Sequence, residues 1–530
     1  MTTVSRSLWG PGAVALSLAL FLIVFLVIPV AKVIYVAFQD PNTGALTLIN
    51  FVDFFNTSLF QESFFNSFYV ASMSVVLASV FALPLAYFTT RFNFGGSILI
   101  QTLGVIPLIM PPFVGAVAMV LLFGQNGSIN LLLDEYLGFT IPFMEGLNGV
   151  IFVESVHYFP FILINLSAAL NNIDRSMEEA AQNLGASRGR LFRRIVFPLA
   201  MPGYVAGASL VFLKVFDDLG TPLLLNINNM LAPQAYLRIS SIGINDPMGY
   251  VISVILVAFS LLALWTSFLA LRGKDYATAQ KGGGGLMKRD LAGWEKAGCY
   301  AVVILILLLV LSPHIALTLL SFGTVWSFSP LPDAYTAQHY VDVVSTSSTY
   351  ITNTLLYAGL AAGIDVVFGT AIAYVVWRTG LPGRKLLDYM AMGAVAIPGV
   401  VLGIGYLRTF YQFDVPFIDK PLASWWVIIV IALAIRRLPY ALRACVAALQ
   451  QVELSATIML VSQESDAPLA YGIYEFMQSA SGRGPGAALG IIAVLIIGIA
   501  TYLSHRVINK KETERAPQQA AAPEEKVQGA

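Results

Sequence analysis

The chain has 530 residues, 57% of them hydrophobic and only 11% charged, with thirty basic residues offset by thirty acidic ones. Soluble domains carry about 25% charged residues, so a deficit this deep, with a mean hydropathy of +0.76, excludes a water-facing surface over most of the molecule and points to lipid. The balanced charge alone argues neither for nor against nucleic acid, and no nucleic-acid partner is expected. Cys299 and Cys445 lie in apolar stretches without disulfide or metal spacing, and the four histidines are scattered, so no metal centre or cofactor is expected.

Crossing the hydrocarbon core takes about 20 apolar residues. The first apolar run, 11–38, is too long for the core of an export signal and no small-residue cleavage pattern follows it. It reads as a retained span. Further spans are expected at 64–90, 98–124, 147–171, 201–225 and 248–271, then at 298–322, 353–377, 386–411, 424–449 and 486–508. Arginine and lysine favour the cytoplasmic side. Arg91, the cluster Arg188 to Arg194, the group from Arg272 to Arg289, and Arg378 with Arg384 each follow an even-numbered span, which puts the N-terminus in the cytoplasm.

The stretch 272–297 opens polar, basic and glycine-rich, the composition of a linker. The sequence either side of it repeats. Asn66, Tyr87, Arg91 and Pro111 recur 287 residues later as Asn353, Tyr374, Arg378 and Pro398. Pro160 recurs as Pro439 at an offset of 279, and Pro233, Tyr236 and Gly249 recur as Pro468, Tyr471 and Gly484 at 235. Polar and proline matches that hold one register indicate a parallel duplication. The expected units are therefore 1–271, the linker 272–297, 298–509, and a disordered Gln/Ala/Glu/Pro-rich tail at 510–530.

The loop 174–198 between the fourth and fifth spans predicts a short helix. Asp174 or Ser176 can cap it, Glu178 and Glu179 suit the positive end of its dipole, and Gly185 ends it. Met177, Ala180, Ala181 and Leu184 then form a narrow apolar face that fits a partner's groove. Glu179-Ala180-Ala181, three residues, Gly185, nine residues, Ile195 and Pro198 resemble the EAA loop of bacterial ABC-importer permeases, with Phe197 where leucine is usual. The resemblance covers nearly the whole chain and is nearest to the fused, two-domain permeases of ferric-iron uptake. Phe216 to Leu225 and Glu453 to Leu460 are similar to segments of that group.

The resemblance implies an all-α, polytopic transmembrane protein of the bacterial inner membrane. Its coupling residues would be Glu178, Glu179, Ala180, Ala181, Leu184, Gly185, Ile195 and Pro198. An ABC ATPase subunit, as a dimer, would bind ATP, and a periplasmic solute-binding protein would deliver ferric iron. The same machinery importing 2-aminoethylphosphonate, thiamine or polyamine is one alternative. An ion-coupled secondary transporter or an inactive membrane scaffold is another. The sequence has no Gly-x-x-x-x-Gly-Lys-Ser/Thr string, so ATP is assigned to the partner.

Ionisable residues inside spans are functional candidates. Asp217 and Asp218, with Glu453 as the repeat of Asp218, are candidates for the translocation path. A second reading puts the two aspartates in water at the periplasmic end, or has Lys214 neutralise one of them a turn away. Arg436 and Arg437 suggest a short span, a water-filled cavity or displaced helix ends. Pro107, Pro111, Pro112 and Pro398 predict broken helices. Finally, the repeat offset falls from 279 to 235, so the second unit lacks 44 residues, those matching Ile173 to Phe216. They would hold its coupling loop and most of one span.

Overall fold

A computed structural model of the chain describes residues 9–173, 175–271, 288–416, 419–443, 484–485 and 487–492. These are almost entirely helical, and eight helices are long and apolar enough to cross a membrane. In the first half, α1 (Pro11–Ala37) leads to the short α2 (Ile49–Asn56) and the long α3 (Ser58–Arg91). Then come α4 (Ser97–Val105), α5 (Pro112–Phe123), α6 (Ser128–Leu137) and α7 (Gly146–Asn171). The expected coupling loop holds α8 (Arg175–Asn183), and a π-helical turn at Phe192–Val196 feeds α9 (Phe197–Phe216). Short α10 (Gly220–Leu224) and α11 (Leu231–Leu237) precede α12 (Pro247–Leu271). The second half contains α13 (Gly293–Phe322), α14 (Gln338–Thr346), α15 (Ser348–Arg378), α16 (Arg384–Gly393), α17 (Gly399–Phe410) and α18 (Val427–Arg443).

The span expected at 98–124 is not one helix. A 3-10 turn at Ile106–Leu108 and extended backbone at Pro111 (φ −59°, ψ 139°) divide it into α4 and α5. Prolines 107, 111 and 112 have no N–H to donate, so the ladder cannot run through them. Its repeat breaks in the same way. Pro398 (φ −56°, ψ 145°) separates α16 from α17, whose segments bend by 110°. The starts of α4 and α16, and those of α5 and α17, are each 287 residues apart, and Gly96 and Gly383 precede α4 and α16 with φ of +80° and +79°. The expected span 424–449 is described only to Arg443, and 486–508 only at 487–492. The stretch 272–287, Glu453, the junction after Gln450 and the tail 510–530 lie outside the described residues.

Two apolar cores form, and each takes in the leading helix of the other half. Leu18, Leu22 and Leu26 of α1 pack with Tyr357, Leu402 and Leu433. Val303, Val310 and Leu317 of α13 pack with Phe113, Val114 and Phe159. Gly405 makes the first contact possible, because a Cβ there would lie 2.9 Å from the Pro29 carbonyl oxygen. Within the first half, α7 and α9 meet backbone to backbone. A Cβ on Gly203 would come within 2.4 Å of the Asn165 oxygen, and one on Gly207 within 2.6 Å of Ile162 Cα. Two glycines four apart on one helix face are a common solution to helix packing in lipid, where close backbone approach replaces the hydrophobic drive.

One end of the bundle is basic, and the arginine and lysine excess makes it the cytoplasmic face. There β1 (Phe92–Asn93) pairs in parallel with β2 (Arg289–Asp290). Lys288 donates to the Thr89 carbonyl at 2.8 Å, and the Tyr300 hydroxyl to the Gly95 carbonyl at 2.8 Å. The start of the second half is thus tied to the cytoplasmic end of α3.

Candidate functional site

Two places on this scaffold carry the chemistry singled out in the sequence. The first is α8. Glu178 forms an ion pair with Arg91 at the end of α3, partly buried, with side-chain exposures of 16% and 10%. Ala181 is buried against the body of the protein, whereas Met177, Glu179, Ala180 and Leu184 are exposed, Leu184 at 89%. The apolar face predicted from the sequence therefore divides: Ala181 turns inward and seats the helix, and Met177, Ala180 and Leu184 line the outer side. Gly185, at φ +78°, ends the helix in the left-handed region, and the Ala186 N–H returns to the Ala181 carbonyl at 3.0 Å. That is a Schellman-type stop, which a residue with a Cβ adopts at a cost. Ile195 is half-buried in the π-helical turn, and Pro198 lies exposed just beyond it, in a helix that runs on continuously into α9.

The second place is a small chamber where the halves meet, with a cavity volume of about 30 Å³. Lys214 and Asp217 at the end of α9, Ser260 of α12, the backbone 394–398 at the α16–α17 break, and Arg436, Arg437 and Tyr440 of α18 line it. Arg436 lies nine residues into α18, about 13 Å from its start at 1.5 Å per residue.

Asp217 does not sit in periplasmic water, as one reading of the sequence had it. Its Oδ2 accepts the Gly399 N–H at 3.0 Å, capping α17, and lies 3.4 Å from the Arg436 guanidinium, with the two side chains 12% and 9% exposed. Asp218 points elsewhere. Its Oδ2 accepts the Thr221 N–H at 2.8 Å, and its carboxyl faces Glu154 of α7. The adjacent aspartates, read together as an acidic pair, serve different helices. Asp365 on α15 lies within electrostatic reach of Arg437. The reading of Arg436 and Arg437 as marks of a cavity fits this arrangement. Two features were not drawn from the sequence, Arg91 as the anchor of Glu178 and the Gly399 amide as a partner of Asp217. A clue to the first was available: Arg91 is the basic residue that closes a 34-residue helix.

A helical bundle with broken helices around a charged chamber, and with an outward-facing apolar stripe on a short cytoplasmic helix, has the architecture of a polytopic membrane protein. Residues 74–273 match the family described as binding-protein-dependent transport system inner membrane component, and the chain belongs to that family as a multi-pass inner-membrane protein. It is 27% identical over 461 residues to the ferric transport system permease protein FbpB of Actinobacillus pleuropneumoniae, which covers 83% of this chain and 64% of that protein. This chain thus spans just under two thirds of that relative. It is 35% identical to the molybdenum transport system permease protein ModB of Haemophilus influenzae over 157 residues, 29% of this chain and 68% of that one. It is also 29% identical over 202 residues to a putative 2-aminoethylphosphonate transport system permease protein, PhnU, of Salmonella typhimurium, covering 37% of this chain and 69% of the relative.

Proposed function

We propose that this chain forms the translocation pathway of an ATP-driven importer, takes ferric iron from a periplasmic solute-binding protein, and is driven by a separate ABC ATPase dimer. The observation that carries the reading is the geometry of α8. Met177, Ala180 and Leu184 face outward on a helix that Glu178 and the buried Ala181 hold against α3. An apolar stripe of small and medium side chains fits a cleft on a partner, and Arg190, Arg193 and Arg194 beside it are exposed on the same loop. Likeness to a ferric permease over most of the chain supports iron. The path itself is assigned to the chamber at Lys214, Asp217 and Arg436, with Asp218 beside it. Closure of the ATPases would move α8, and Arg91 would carry that movement into α3.

The test uses cells carrying this chain with its neighbouring ATPase and binding-protein genes. Energy-dependent uptake of radioactive ferric iron is expected, and Gly185→Val is expected to reduce it at least tenfold while membrane levels of the chain hold. Uptake of 2-aminoethylphosphonate, thiamine or a polyamine in place of iron would refute the substrate. Uptake that survives ATP depletion but collapses with an ionophore would refute the mechanism. The absence of any solute-stimulated ATP hydrolysis in vesicles would make the chain a scaffold.

A further inference from the structure

We propose that Glu154 of α7 and Asp218 at the end of α9 form a buried carboxyl pair that binds one proton, with Glu154 as the protonated member donating to Asp218. The inference depends on neither the substrate nor the ATPase. Glu154 is fully buried, Asp218 is 9% exposed, and the two carboxyls face each other beside Thr221. No N–H or O–H among the described residues donates to either Glu154 oxygen, and the buried Thr221 hydroxyl is likewise without a partner. Asp218 is better served, because its Oδ2 accepts the Thr221 N–H at 2.8 Å and the Gly220 amide lies beside it. The charge therefore belongs on Asp218 and the proton on Glu154.

Two facing carboxylates in a medium of low dielectric repel strongly. A single proton turns that repulsion into a charge-assisted O–H···O bond, the stronger kind. The groups packed around the pair do not replace it. Lys214 of α9 and His314 of α13 act on His157, one turn farther along α7, whereas the groups that act on Glu154 are Asp218 and Thr221. α3 meets this part of α7 through Ser74, whose carbonyl accepts the Ser155 hydroxyl at 3.2 Å. α4 and α5 carry no titratable side chain, and neither does α10. A hard divalent metal ion takes about six or more oxygen ligands, and among the described residues no third carboxylate, histidine or cysteine joins the pair to hold one. The position gives the proton a consequence. Asp217, the next residue, caps α17 and pairs with Arg436. The end of α9 is thus held to α7 by one aspartate and to the second half by its neighbour. Loss of the proton would push the first contact apart and disturb the second through a single peptide unit.

Infrared spectroscopy of the purified full chain in detergent, in light and heavy water, reads the proton directly. Near neutral pH the difference between wild type and Glu154→Gln should contain one carboxylic-acid carbonyl band. That band should shift in heavy water and convert to carboxylate as pH is raised. Asp218→Asn removes the facing charge and should move the conversion by at least one pH unit. The folded pair holds a proton that unfolded carboxyls would have released. The wild-type melting temperature should therefore fall as pH rises through the conversion, and that of Glu154→Gln should not change over the same range. Three results overturn the inference. One is a difference spectrum near neutral pH with carboxylate bands alone. Another is loss of the acid band on adding sodium at fixed pH, which would make this a cation site. The third is an Asp218→Asn variant whose conversion stays where it was, a comparison that stands even if Glu154→Gln fails to fold.

Discussion

Replacing Asp217 by alanine tests the junction of the two halves most directly. The substitution removes the acceptor for the Gly399 N–H and one ion-pair partner of Arg436, a pair exposed by only 12% and 9%. Truncating one member of a buried ion pair costs about 3–5 kcal/mol, because the other charge remains in a poor solvent. Loss of a helix cap costs about 1 kcal/mol, and the two overlap because one oxygen serves both. A total of about 4 kcal/mol is expected. Asp217→Asn keeps an acceptor for Gly399 and should recover about 1 kcal/mol. Asp217→Ala with Arg436→Met removes the stranded charge and should recover at least about 2 kcal/mol, since apolar replacements of buried pairs are often neutral. Denaturant unfolding in mixed micelles, followed by tryptophan fluorescence, reads all four proteins. A cost below about 1 kcal/mol for the single alanine variant, or no recovery in the double, would refute the assignment of Asp217 as the link between halves.

Gly207→Val places a branched side chain where a Cβ already meets Ile162 Cα at 2.6 Å. Separation of α7 and α9 should cost about 1–3 kcal/mol, read as a lower melting temperature, with Gly12→Val as the open-space control. Arg91→Ala should release α8 while leaving the bundle intact. Trypsin cleavage between Arg188 and Arg194 is expected to accelerate several-fold at an unchanged melting temperature, and an unchanged cleavage rate would count against the Arg91–Glu178 anchor. In the periplasmic turn after α1, the Asn42 and Thr43 amides hold the Asp40 carboxyl below its ordinary pKa of 3.8. A depressed folded pKa means that the turn's stabilisation is present above 3.8 and is lost as pH falls through the lower folded value. Amide protection at Asn42 should persist at pH 5 and vanish in strong acid, whereas in Asp40→Asn it should not change with pH.

The broken helices were legible in part because proline acts locally: Pro111 and Pro398 each stop a hydrogen-bond ladder, whereas Pro84, Pro160 and Pro313 stand inside α3, α7 and α13 without breaking them. The α8 helix was legible for the same reason, its glycine stop and acidic first turn being written within twelve residues. The division of its apolar face was not, because whether Ala181 or Ala180 turns inward depends on where α3 ends in space. The ion pair across the halves was least legible. Asp217 and Arg436 are 219 residues apart, and the sequence offers Lys214 as a nearer cation at helical spacing. Only the fold shows that the α9 terminus opens against α18.

The exchange of leading helices has a consequence for how the molecule is made. Leu18, Leu22 and Leu26 of α1 are finished only by residues from Tyr357 onward, so they enter the bilayer well over three hundred residues before their partners. Until then that stripe must be satisfied by lipid or by the insertion machinery. The core around α1 therefore closes late, after α13 is already available to the first core. A first half expressed alone would insert but remain unfinished along α1, and supplying the second half as a separate chain should complete it.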